Sequence, residues 1–220
     1  MAANDTVLHY ISDPMCSWCW GFTPVMEKIK EDYGDRLKIS LVLGGLRPYT
    51  NDILKSADRS YIMQHWKEVQ EITHQPFQFE NVMPPGFIYD TEIPSRAVVT
   101  FAHFNPKELF AFLKSVQYAF YAEGKNTTDE NVLASLADRF GMPKESFLEK
   151  FHSEEMKEKT KGHFIKARQF GVQVFPSTIL QGAKGYYMLS KGYKSYSEIQ
   201  KEIDDWFSPV STLVPSTGML

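Results

Sequence analysis

The order of periodicities along this chain constrains its fold more than any single residue does. Val7 to Ser12 (VLHYIS) is a short β-branched and aromatic run stopped by Asp13-Pro14, which predicts a strand. Phe22, Val25, Met26, Ile29 and Tyr33 then recur at helical spacing up to Gly34. Leu37 to Leu43 (LKISLVL) is a second strand, ended by Gly44-Gly45. Strand, helix and strand in this length make a βαβ unit. The next stretch, about a hundred residues, carries helical signals instead. They cover Ser60–Thr73, Pro94–Phe104 and Pro106–Ala122. Thr127 with Glu130 reads as a capping box opening a helix closed by Gly141, and Pro143 suits the first turn of another. Glu154–Phe170 is a further helix, Ser177–Gln181 and Tyr186–Ser190 are strands around a Gly182–Gly185 turn, and Ser195 with Glu198 caps a last helix through Phe207. The tail after Pro209 has no period, which predicts frayed or loosely packed chain.

Two end pieces that complete one helix-covered sheet, with an all-helical block inserted between them, define an α/β fold. The expected divisions are 1–48 (strand, CxxC, helix, strand), 49–158 (helical insertion), 159–208 (helix, proline loop, two strands, helix) and a 209–220 tail.

The net charge of −3, with Lys and Arg scattered, supplies no field for nucleic acid, so none is expected as a partner. No apolar run approaches the ~18 residues of a spanning helix, and no membrane partner is expected. The N-terminal MAANDTVLHYIS lacks a basic and then apolar leader, so the expected location is cytoplasmic.

Both cysteines of the chain, Cys16 and Cys19, lie in MCSWCWGF, between the first strand and the first helix. As a structural staple the pair gains little, because closing so short a loop stabilises by roughly 2 kcal/mol against roughly 4.7 for a hundred-residue loop. As a zinc site it lacks ligands: there is no second CxxC, and His9, His65, His74, His103, His152 and His163 form no close pair at ligand spacing. No metal is therefore expected. The redox reading fits the local physics. Cys16 stands at a helix N-terminus, where unpaired N–H groups and the helix dipole favour a thiolate. Cys19, one turn further in, is placed to resolve a mixed disulfide. Far along the chain, Phe175-Pro176 stands immediately before the strand STIL, a position compatible with a cis bond or with a trans proline that merely starts a strand.

These features together resemble the thioredoxin superfamily, and within it the DsbA family. CSWC after the first strand resembles that family's active-site motif, Pro24 its helix-kinking proline, and VFPST its cis-proline loop. The strings DPMCSWCWGFTP and FGVQVFPSTIL are similar to the cytoplasmic FrnE-like branch of predicted protein-disulfide isomerases. The resemblance implies a thioredoxin-like fold with a DsbA-like helical insertion, catalysis by Cys16 as nucleophile and Cys19 as resolving thiol, and a cis Pro176 facing Cys16. Ser17 and Pro24 support the motif. Ser17-Trp18 replaces the Pro-His of the strongly oxidising members, so a very oxidising potential is not implied. A related branch, the kappa-type glutathione transferases and hydroxychromene-carboxylate isomerases, uses serine in place of the pair.

Trp18, Phe175 and Pro176 are candidates for substrate contact, while Trp20 reads as support beneath the motif. His9 reads as a core histidine and Asp13 as a solvated turn residue. The function expected is a thiol–disulfide oxidoreductase or isomerase acting on protein or small-molecule disulfides. It needs no cofactor beyond the Cys16–Cys19 couple, with glutathione as a possible co-substrate. The alternatives are a glutathione-dependent transferase or isomerase roofed by the insertion, and a non-catalytic binding module with a vestigial CxxC.

Overall fold

A computed structural model describes residues 6–216. Its elements follow the order β1 (Val7–Ser12), α1 (Ser17–Tyr33), β2 (Lys38–Leu43), α2 (Ser56–Thr73), α3 (Glu92–Phe104), α4 (Leu109–Tyr121), α5 (Glu130–Asp138), α6 (Lys144–Phe151), α7 (Glu154–Gln169), β3 (Ser177–Gly182), β4 (Gly185–Lys191) and α8 (Tyr196–Phe207). The chain divides into two compact units. One holds the residues up to Ser12, Phe22–Gly44 and the chain from His163 on; the other holds Asp13–Gly21 and Gly45–Gly162.

The first unit is built on a four-stranded sheet of order β2-β1-β3-β4. β1 pairs parallel with β2, and β3 pairs antiparallel with both β1 and β4. The parallel pair requires a crossover, and α1 supplies it. β1 is central and nearly all of it is buried, hence its lack of clean polar alternation. Ile11, Val42 and Ile179, from three strands, pack with Ala167, Phe170 and Val172. This mixed sheet with its helices is the thioredoxin-like arrangement expected from the sequence.

Local chemistry explains several boundaries. Gly171 closes α7 at φ 69°, a left-handed conformation that glycine adopts without steric cost. The Glu198 carboxylate accepts the Ser195 N–H (2.8 Å) and the Ser195 side chain accepts the Glu198 N–H, the two halves of the box that opens α8. The box expected at Thr127 and Glu130 does not form. Asp129 caps α5 instead, its carboxylate accepting the Asn131 N–H at 2.9 Å, and Thr127 is buried. The tail touches β4 at Ser216, and its last four residues lie outside the described residues. Ser216 exchanges two backbone hydrogen bonds with Tyr186, at 2.8 and 2.7 Å, pairing part of the β4 edge.

The second unit is helical. Its largest core joins Met15, Trp20, Trp66, Phe87, Tyr89, Phe120 and Tyr121. Trp66 is the hub, with four rings within 6.5 Å. A separate aromatic stack, Phe101 on Phe112 at 4.1 Å, joins α3 to α4. Among the described residues no helix is long and apolar enough to cross a membrane.

Candidate active site

Cys16 immediately precedes α1 and Cys19 lies in its first turn. The Cys16 N–H donates to the Asp13 carbonyl (3.2 Å), closing a turn. The Cys16 carbonyl accepts the first helical bonds, from the N–H groups of Cys19 (3.0 Å) and Trp20 (3.1 Å). Cys16 is thus the residue that opens the helix. Cys16 is 7% exposed and Cys19 is fully buried. The Asp13 N–H points at the Cys19 sulfur from 3.5 Å. A peptide N–H aimed at sulfur favours negative charge there. Pro24 lies inside α1, where it removes one main-chain bond.

Asp13 corrects the sequence reading. It is not solvated: its exposure is 0%. One carboxylate oxygen accepts the Met15 N–H (2.9 Å) and the other the Leu46 N–H (2.7 Å), and Thr91 adds a side-chain bond. Burial disfavours the charged form and pushes Asp13 up to about 6, against the pull of these donors. Thr91 is itself fixed, because Arg47 and Thr91 bond in both directions, at 3.0 and 3.2 Å. Tyr89, two residues earlier, donates its hydroxyl to the Met15 carbonyl at 2.6 Å. Burial holds the Tyr89 phenol far above its ordinary range, so it remains a protonated donor.

The tryptophans have different environments. Trp18 is half-buried. Trp20 is buried, donates to the Pro76 carbonyl at 3.1 Å and stacks parallel to Tyr121. Ser17, the first residue of α1, is half-buried. An open groove in the same unit, about 460 Å³, is lined by Arg47, Thr50, Asp52, Leu54, Lys55 and Tyr89.

In the sheet unit the Phe175–Pro176 bond is cis. Pro176 is buried and its carbonyl accepts the Gly192 N–H at 2.8 Å. Phe175 lies over Gly44 so closely that a Cβ there would meet its ring at 2.1 Å. The second glycine-stop residue of the sequence therefore has a packing reason. His9 is buried, bonded to Gln181 at 2.6 Å and lowered by burial. His163 accepts the Leu43 N–H at 3.3 Å, and burial lowers it to about 4. No group of three or more His, Cys, Asp or Glu suited to a metal ion occurs among the described residues.

Asp13, Leu46, Tyr89 and Thr91 were not singled out as site residues in the sequence. Only Asp13-Pro14 before the motif gave a local signal, and that signal is equally a turn's.

A strand leading into a helix opened by CxxC, together with a cis-proline before the third strand of a mixed sheet, defines a DsbA-like member of the thioredoxin-fold proteins. The thioredoxin family model matches residues 9–201, and the chain belongs to that family. A candidate protein disulfide isomerase from Nitrosomonas europaea is 37% identical, covers 92% of this chain and 98% of its own, and superposes with a TM-score of 0.87. The cytosolic disulfide reductase DsbM from Pseudomonas aeruginosa is 26% identical over 91% of this chain and 94% of its own (TM-score 0.73), and its structure with GSH is 25% identical over 91% and 95% (TM-score 0.71). These neighbours are consistent with the FrnE-like branch. The ClpXP adapter protein SpxH of Halalkalibacterium halodurans is 23% identical over 76% of this chain. The chain spans only 56% of that relative's length.

Proposed function

We propose that this protein is a thiol–disulfide oxidoreductase working through Cys16 and Cys19, most simply as a reductase of protein or small-molecule disulfides. The observation that carries the reading is the placement of Cys16 as the residue opening α1, with a peptide N–H aimed at the Cys19 sulfur behind it. The Cys16 thiolate attacks one sulfur of the substrate disulfide. That S–S bond breaks, the leaving thiolate takes a proton from water, and a mixed disulfide forms on Cys16. The Cys19 thiolate then attacks the Cys16 sulfur, releasing the second substrate thiolate and leaving a Cys16–Cys19 disulfide. The substrate gains two electrons and the pair loses two. Two equivalents of a thiol reductant of the glutathione class restore the pair and leave as their own disulfide. With such a thiol as co-substrate, no other cofactor is required.

Trp18, Phe175 and Pro176 serve as substrate-contacting residues in this reading, and Ser17 and Pro24 as supports of the motif. The groove is charge-balanced: Arg47 and Lys55 suit the carboxylates of a glutathione-like thiol, and Asp52 and Asp58 suit its ammonium group. The GSH-bound DsbM structure supports that co-substrate, and the cytosolic description of DsbM supports a cytoplasmic location. The test is a pair of variants in an insulin-reduction assay with glutathione. Cys16→Ser should abolish turnover, and Cys19→Ser should accumulate a mixed disulfide on Cys16. Full activity in Cys16→Ser would refute the mechanism.

A further inference from the structure

We propose that Tyr89 is a positioning residue of the redox motif, its phenol fixing the peptide plane that presents Cys16. The proposal rests on Cys16 being the nucleophile. The carbonyl of Met15 and the N–H of Cys16 belong to one planar group. That group is held at both ends: the Met15 carbonyl accepts the Tyr89 hydroxyl at 2.6 Å, and the Cys16 N–H donates to the Asp13 carbonyl at 3.2 Å. The next plane is held too, because the Cys16 carbonyl receives the first two helical N–H groups. With both flanking planes fixed, the direction of the Cys16 sulfur depends on its side-chain torsion alone.

Tyr89 is built to hold that plane. It is 4% exposed, and Phe87 and Phe120 meet its ring edge-on, each with centroids 5.9 Å away. The Arg47 guanidinium lies 5.4 Å from the ring centroid. Packing fixes the ring, which shares its apolar cluster with Met15, and the hydroxyl supplies the polar contact to the motif. A buried tyrosine hydroxyl often finds some carbonyl partner without consequence for function. The two cases separate experimentally, because Tyr89→Phe keeps the ring and its packing.

The experiment measures the rate at which iodoacetamide alkylates Cys16 in the folded protein at pH 7, by peptide mass spectrometry. Tyr89→Phe should react about three- to tenfold more slowly than the unaltered protein, the scale of one hydrogen bond. In disulfide reduction its kcat should fall while KM stays unchanged. Arg96→Met, which removes the buried Glu92–Arg96 ion pair elsewhere in the unit, should lower thermal stability and leave the alkylation rate alone. Replacing Tyr89 with difluorotyrosine, a stronger donor of the same shape, should accelerate alkylation even if Tyr89→Phe folds poorly. Equal rates in the unaltered and fluorinated proteins, a folded Tyr89→Phe as fast as the unaltered protein, or slowing in Arg96→Met matching that of Tyr89→Phe would each overturn the proposal. Alkylation needs no turnover. Retained disulfide reduction in Cys16→Ser would therefore defeat the proposed function without bearing on this measurement.

Discussion

The two units hold their candidate residues by different means. In the helical unit, the segment before Cys16 is tied by side chains to distant backbone and hydroxyl groups: Asp13 to Leu46 and Thr91, and Tyr89 to Met15. In the sheet unit, Phe175-Pro176 is set by shape and main chain, with a ring seated on Gly44 and a carbonyl bonded to Gly192. The first kind of support carries charge and depends on pH. The second depends on volume.

The comparison can be broken at several points. The largest effect should come from the hub of the helical unit. Trp66→Ala removes a fully buried side chain ringed by four aromatic groups and should cost about 3–5 kcal/mol in urea unfolding. A loss below about 1 kcal/mol would show that the cluster does not support the motif.

Asp13→Asn tests the charged support. Asp13 rises from 3.8 to about 6 on folding, so the native state binds its proton more tightly than the unfolded chain does. Its contribution to stability is fully present below pH 3.8 and is lost as pH rises through 6. The gap corresponds to about 3 kcal/mol. Unfolding free energies measured from pH 4 to 7 should fall less steeply with pH in Asp13→Asn than in the unaltered protein. Parallel curves would contradict the buried carboxylate.

Gly44→Ala tests the support by shape. The added methyl meets the Phe175 ring and should cost about 1–3 kcal/mol, nearly independent of pH. A pH-dependent loss would remove the distinction between the units. His163→Gln should give a change of opposite sign to Asp13→Asn. His163 is lowered from 6.5 to about 4, so its contribution is present above pH 6.5 and lost as pH falls through 4. Glutamine keeps an acceptor for the Leu43 N–H, so the acid-side decline should flatten in thermal melts recorded between pH 4 and 7.

This contrast also explains what the sequence disclosed. Strands, helices and their glycine and proline stops were legible because they are local: VLHYIS, LKISLVL and the Ser195–Glu198 box stand where the pattern places them. The cysteine pair at the start of α1 and the proline before β3 were legible for the same reason. The capping residue of α5 was misplaced by two positions, because Thr127 and Asp129 both carry capping oxygens and burial of Thr127 decided between them. Asp13 was misread because turn composition cannot show that Leu46 and Thr91 will cover its carboxylate. Tyr89 sits 74 residues from Met15 in a segment with no periodicity. No local rule connects such residues.

The central claim is that Cys16 and Cys19 form one two-electron redox couple. The direct measurement equilibrates the protein across a series of glutathione redox buffers, quenches with acid, tags remaining thiols and identifies the linked peptides by mass spectrometry. The account predicts a single transition to an intramolecular Cys16–Cys19 disulfide that fits a two-electron curve. Glutathione adducts of Cys16 should be confined to Cys19→Ser. A pair that stays reduced across the series, or that gives stable glutathione adducts with both thiols intact, would contradict it.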